Sequence, residues 1–290
     1  MQSVSNAVQQ KTINFLKELI RIPSTRGNEG DAARYSQRAF QDCSDSSILV
    51  PIDDSIMEHP DYDFWLPDLS YQHTPQVEVV IRGETQGKAV VFNTHLDVVP
   101  PSAGQLDAFT PREKNGNIFG RGSVDAKGQV ATLFALAQIL QENNLKPRGD
   151  VIFHLVVEEE NGGNGTLAMV ERGVEADAAV VLEPSELKII PAVRGAIWFQ
   201  LRVFGKATHS GNTEGRISAI DAAYQAIEIL CSYHDRLLAS SRHLSLFDEY
   251  ADPMPLTIGQ FESGTWPATV PDEAVLKGLI GFLPNKNRQE

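Results

Sequence analysis

Thiol, positive charge and long apolar runs are all scarce in this chain, and each shortage removes a class of protein. Cys43 and Cys231 are its only cysteines, far apart and outside any CxxC spacing. That excludes a disulfide framework and a thiolate-rich zinc ribbon. No segment approaches the ~20 apolar residues that a membrane helix needs. The start, Met1-Gln2-Ser3-Val4-Ser5-Asn6, lacks the basic and apolar regions of a secretory leader. A soluble cytoplasmic protein without a membrane partner is therefore expected. Lys and Arg total 25 against 38 Asp and Glu, a formal net charge of −13. Repulsion of that size disfavours nucleic acid and anionic membranes as partners, and leaves small-molecule substrates open.

What the chain does have is 290 residues with 42% apolar content, enough to bury a core in two lobes. Val8, Ile13, Phe15, Leu16, Leu19 and Ile20 form a broad helical face from about residue 8 to 22, which Pro23 stops. Residues 51–75, rich in Pro and Asp, read as an irregular insertion. Apolar strands then alternate with helical patterns: 77–81, 89–92, 151–157 and 178–182, with Val130, Leu133, Phe134, Ala137 and Leu140 recurring at helical spacing between them. This βαβ order implies an α/β domain with a mainly parallel sheet covered by helices. The texture changes near Arg194-Gly195. A strand at 196–203, a helix at about 217–238 and strands near 256–259 and 274–276 suggest a small α+β module. The expected domains are residues 1–193 and residues 194–290.

Four clusters of possible ligands fall at predicted strand ends or loops. Glu158-Glu159-Glu160 follows the run 151–157 and precedes Asn161-Gly162-Gly163-Asn164-Gly165. Open α/β sheets place ligand sites at such C-terminal ends. Three adjacent carboxylates repel one another and are costly near a core unless cations hold them; alone, a solvated strand end is as good a reading. His95-Leu96-Asp97 puts two side chains on one face of an extended segment, so one can bind a metal while the other orients it. A structural hydrogen-bonded pair is the plainer alternative. Asp125, in Gly120-Arg121-Gly122-Ser123-Val124-Asp125-Ala126-Lys127-Gly128, suits either an N-cap or a carboxylate bridging two cations. Glu183-Pro184 follows the strand at 180–182, where the alternative is an exposed loop acid. His154 reads as a core histidine, and His59, His73, His234 and His243 as surface residues.

Taken in order, His-x-Asp, Gly-Arg-Gly-x-x-Asp-x-Lys-Gly, Glu-Glu-x-Gly-Gly-x-Gly, Glu-Pro and Gly-x-x-x-His-Ser resemble the co-catalytic zinc aminoacylase/carboxypeptidase superfamily, metallopeptidase family 20. Its members include acetylornithine deacetylase and succinyl-diaminopimelate desuccinylase. The resemblance runs from the first helix to the chain end. It implies a two-zinc hydrolase, with cobalt or manganese as possible substitutes. His95 and Glu183 would hold one zinc, Asp125 would bridge both, and Glu160 would ligate the second. Asp97 would support His95, Glu159 would be the general base, and Glu158 would be structural. His209, in Gly205-Lys206-Ala207-Thr208-His209-Ser210, would reach a partner subunit's site and stabilise the oxyanion. It also implies a cis Asp125-Ala126 peptide and a homodimer formed through the second, lid-like domain.

Two departures stand out against that pattern. Ala268 stands where many members carry a substrate-gripping Asn, and Lys277-Gly278-Leu279-Ile280 lacks an Arg often found there. The sequence ends at Asn285-Lys286-Asn287-Arg288-Gln289-Glu290, where a further lid helix and a return segment with a last histidine ligand would begin. The lid is therefore expected to be incomplete, and the isolated chain to hold its second metal weakly and hydrolyse amides poorly. The reading is a deacylase acting on an N-acyl amino acid or related amine, with two rivals: a dipeptidase or carboxypeptidase of the same fold, and a non-catalytic scaffold. A two-metal phosphatase or nuclease is disfavoured, because the motifs lack an Arg/Lys phosphate clamp.

Overall fold

Ser5 opens the first helix by accepting the Val8 N–H on its hydroxyl, so α1 (Asn6–Arg21) begins with one exposed donor satisfied. Its buried stripe of Val8, Phe15, Leu19 and Ile20 faces the core. The computed structural model of the chain describes residues 4–63, 70–85, 87–212, 214–241 and 243–287. They fall into two compact units, Met1–Lys188 and Ile189–Glu290.

In the first unit α1 is followed by α2 (Gly30–Gln41), β1 (Ser46–Val50), β2 (Gln76–Ile81) and β3 (Val90–His95). Then come a small hairpin of β4 (Arg112–Lys114) and β5 (Asn117–Phe119), α3 (Lys127–Glu142), β6 (Val151–Val156), α4 (Asn164–Glu171) and β7 (Ala178–Val181). The sheet runs β1-β2-β6-β3-β7. β6, β3 and β7 are mutually parallel, while β1 pairs antiparallel with β2 and β2 antiparallel with β6. Four of the five strands thus point one way, with β2 reversed, as a mainly parallel sheet requires. Alternate residues Val151, Phe153, Leu155 and Val157 pack into the main core with Phe15, Phe40 and Phe134. The rings of Phe15 and Phe134 stack at 4.5 Å, and Phe40 meets Phe134 edge-on at 5.5 Å. Val156, on the other face, packs with Val50 and Met169 of α4. β6 is buried along its whole length, which explains a run whose only polar residue is His154.

The stretch at 51–75 forms two 3-10 turns, Asp54–Glu58 and Tyr71–His73, with Ile52, Ile56 and Tyr71 in the core. Its residues 64–69 lie outside the described residues. Neither α2 nor β1 is apparent in the sequence pattern. α2 carries Ala32, Ala33, Ser36 and Phe40 on its buried face, so small side chains replace the usual aliphatic stripe.

The second unit contains β8 (Gly195–Phe204), β9 (Thr208–His209), α5 (Ala219–Ser241), β10 (Leu256–Ser263), β11 (Thr269–Val270) and β12 (Glu273–Phe282). β10, β12 and β8 form an antiparallel sheet, and β9 pairs with β11. α5 places Ala219 and Ala223 against Ala274 and Leu276, with Leu201, Val203, Ile227 and Ile258 around them. Gly278 is required here, since a Cβ would lie 2.2 Å from the Thr257 carbonyl oxygen.

Candidate metal centre

Because β6, β3 and β7 are adjacent and parallel, their C-terminal ends emerge together at one edge of the sheet. His95 closes β3, residues 158–160 follow β6, and Glu183 follows β7. The His95 ring is fully buried. Its Nδ1–H donates to the Asp97 main-chain oxygen at 2.9 Å, with the Asp97 carboxylate 3.4 Å away. That bond fixes the ring so that Nε2 faces the cluster. Nε2 lies 2.9 Å from Asp125 Oδ1 and 3.8 Å from both Glu159 Oε2 and Glu183 Oε2. His95, Asp125 and Glu160 each offer an atom within 4.8 Å of the others'.

Asp125 does not cap α3. The N-cap is Ala126, without a side-chain cap, and the Asp125 carboxylate turns towards His95 instead. The Asp125-Ala126 peptide is cis. Asp97 also accepts the Glu160 N–H on Oδ2 at 3.0 Å, which ties the two clusters together. Its Oδ1 is buried without a hydrogen-bond partner.

The electrostatics are those of crowded acids. Burial raises Glu159, and burial followed by the charge of Asp125 pushes Glu160 up to about 7. Glu183 also rises to about 7, through burial and its neighbours Glu159 and Asp125, with His95 opposing. Burial pulls the His95 imidazole down, but Asp125 and Asp97 outweigh it and raise it to about 11. Imidazole nitrogen with several carboxylate oxygens, held together despite repulsion, is a donor set suited to a divalent cation such as zinc.

Two buried groups behind this cluster have roles that the sequence leaves open, although Lys127 stands in the Gly-Arg-Gly-x-x-Asp-x-Lys-Gly motif. Lys127 is fully buried, and its Nζ donates to the Leu19 and Ile22 carbonyl oxygens at 3.0 and 2.7 Å. It therefore ties the end of α1 to the turn that carries Asp125. Burial lowers the ammonium to about 7, with Asp97 opposing. Lys127→Met should destabilise the fold by roughly 2–4 kcal/mol, because two buried carbonyls lose their donor. Urea unfolding in chelator checks this, and a change below ~0.5 kcal/mol would contradict it.

Glu29 is the second. It is fully buried, accepts the Gly27 N–H on Oε1 at 2.9 Å and leaves Oε2 without a partner. Burial raises its carboxyl from the ordinary 4.5 to about 8, with Asp97 and Glu158 adding to the rise. The folded protein then keeps a proton that the unfolded chain releases, so stability falls as pH rises from about 4.5 to about 8. Glu29→Gln should remove that loss, stabilising the metal-free protein at pH 8 by a few kcal/mol. Near pH 4 the variant and the parent should unfold together; equal stability at both pH values would refute the role.

Residues 91–279 match the profile of peptidase family M20/M25/M40.

The chain belongs to that family.

It is 28% identical over 233 residues to N-formyl-4-amino-5-aminomethyl-2-methylpyrimidine deformylase of Bacillus subtilis, covering 76% of this chain and 54% of that protein. It is likewise 28% identical over 275 residues to a probable carboxypeptidase of Neosartorya fischeri, covering 90% of this chain and 59% of the relative. This chain thus spans little more than half the length of these M20 relatives. In fold it resembles the dipeptidase Dug1p of Saccharomyces cerevisiae, with a TM-score of 0.74 at 14% identity over 98% of this chain and 72% of that one.

The other histidines singled out from the sequence have partners of their own. His209 belongs to the second unit, on β9, where its Nδ1 accepts the Gly211 N–H at 3.1 Å. In the neutral ring the proton is then on Nε2. His154 is buried beside Glu78, as a core histidine. His234 differs from expectation: it is buried, and its Nε2–H donates to the Met254 carbonyl oxygen at 2.8 Å. Ser232, Tyr233, Asp235 and Arg236 beside it in the chain are polar, but the carbonyl that meets it comes from twenty residues further along.

Proposed function

We propose that the chain carries the metal centre of a dinuclear zinc amidohydrolase that removes the acyl group from an N-acyl amino acid or a related N-acylated amine. The observation that carries this reading is the convergence of His95, Asp125, Glu159, Glu160 and Glu183 at the joint ends of β6, β3 and β7. His95 and Glu183 would hold one ion, Glu160 the other, and Asp125 would bridge them. Two such ions, when bound, polarise the scissile carbonyl and acidify a water.

The remaining steps fall to the chain's own groups. Glu159 takes a proton from the attacking water and returns it to the departing amine. Its raised carboxyl suits that exchange, since a base titrating nearer neutrality both accepts and releases protons readily. Asp97 holds His95 in the orientation that leaves Nε2 facing the cluster. His209 offers Nε2–H to the tetrahedral oxygen, from a partner subunit in a homodimer assembled through the second unit.

Dipeptide or carboxypeptidase-type substrates form the second reading, favoured by the relative named a probable carboxypeptidase. The test is hydrolysis of matched N-acetyl amino acids and dipeptides by protein reconstituted with zinc. The deacylase reading expects faster cleavage of the N-acetyl series, loss of activity on chelation and recovery with zinc. Cleavage insensitive to chelation would overturn the metal mechanism, and exclusive dipeptide cleavage would favour the second reading.

A further inference from the structure

Glu159 and Glu160 are adjacent, yet both serve one cluster, and an extended chain does not allow that. Successive side chains on a strand point to opposite faces. The two acids lie in a turn rather than on the strand, and the chain enters that turn one residue earlier. Glu158 has φ 62°, in the left-handed region, immediately after β6 ends at Val156 and the chain leaves the sheet at Val157. A residue with a Cβ rarely adopts this conformation, and glycine adopts it freely. Glycine is abundant just downstream, at 162, 163 and 165, yet glutamate stands here.

The Glu158 side chain supplies the reason. It is about 1% exposed. Oε2 accepts the Asn161 side-chain N–H at 2.9 Å, and Oε1 lies 3.5 Å from Arg26 Nε. The Tyr71 hydroxyl, itself buried, also faces it. Its main-chain oxygen accepts the Gly163 N–H at 2.9 Å, closing the turn on the other side of the two acids. Thus Asn161 bonds the carboxylate from within the turn, while Arg26 and Tyr71 face it from segments far away in sequence.

We infer that Glu158 is a positioning residue, whose buried carboxylate holds the left-handed turn that directs both Glu159 and Glu160 to the metal centre. The inference rests on the proposed metal centre. It assigns the first of the three acids a task that neither ligation nor proton transfer covers.

The test compares Glu158→Gly, Glu158→Gln and Tyr71→Phe with the parent. Zinc affinity is read by chelator competition, and the geometry of the site by the visible absorption of the cobalt-loaded protein. Glu158→Gly permits the backbone conformation but deletes the anchor, so zinc affinity should fall by roughly 10–100-fold and the cobalt spectrum should shift. Glu158→Gln, which keeps the shape and the amide contact to Asn161, should lose less. Tyr71→Phe should shift both readouts in the same direction by a smaller amount.

Parent-like affinity and spectrum in a folded Glu158→Gly protein would overturn the inference. If that variant does not fold, Tyr71→Phe decides: weakened binding supports the anchor, and unchanged binding refutes it. Failure of the parent itself to bind zinc or cobalt would instead refute the metal centre, a result these readouts keep distinct.

Discussion

Glu159→Gln should retain metal while its hydrolysis of an N-acyl substrate falls by at least the ~10²-fold that a general base contributes. His95, Asp125 and Glu160 close into one donor cluster, and Glu159 Oε2 lies outside that trio, 3.8 Å from His95 Nε2, with its side chain partly open to solvent. Glu183 Oε2 lies at the same distance, so substitution rather than distance separates the proton carrier from the ligand. A partly solvated carboxylate beside the cluster would be free to exchange protons with a water that bound metal would acidify. The amide of Gln keeps the size and loses the basicity, so metal content should change little. Turnover near that of the parent, with metal retained, would refute the assignment.

The second large effect falls on metal itself. Asp125→Ala should lower zinc affinity by more than the 10–100-fold typical of losing a supporting contact, because the carboxylate that would bridge the two proposed ions is lost. Asp125 is the one acid of the cluster supplied by a loop between β5 and α3 rather than a sheet end, and it lies against His95 Nε2 at 2.9 Å. Its loss also frees His95 from its strongest hydrogen-bonding partner. The metal-free variant should therefore show a His95 ring that gives up its proton at lower pH than in the parent, visible by NMR. Retained zinc affinity in Asp125→Ala would contradict a bridging role.

How far the sequence announces this depends on distance along the chain. Val151 to Val156 reads as a buried strand because every residue but His154 is apolar, and the acids after it then read as a sheet-end cluster. His95 and Asp97 are legible from short-range spacing, since their contact is made within one strand end, whereas Asp125 meets His95 across thirty residues and is legible only through the ordered motifs of the family resemblance. α2 is hidden because Ala32, Ala33 and Ser36 bury no long side chain and leave no aliphatic period. Lys127 stands in a motif, but its task, like those of Glu29, Arg26 and Tyr71, is invisible in the sequence, because what makes these residues matter is contact across the fold. Lys127, for instance, meets carbonyls 105 and 108 residues away. His234 shows the same limit in the second unit: a helix reports its own faces, not the loop that will cover one of them.

The central claim is that His95, Asp125, Glu160 and Glu183 surround bound metal. Crystals of the protein equilibrated with zinc and measured across the zinc absorption edge test it most directly. The account predicts anomalous density about 2.0–2.2 Å from His95 Nε2 and from an Asp125 carboxylate oxygen. Zinc-equilibrated crystals with no anomalous peak within bonding distance of His95 Nε2 would contradict it.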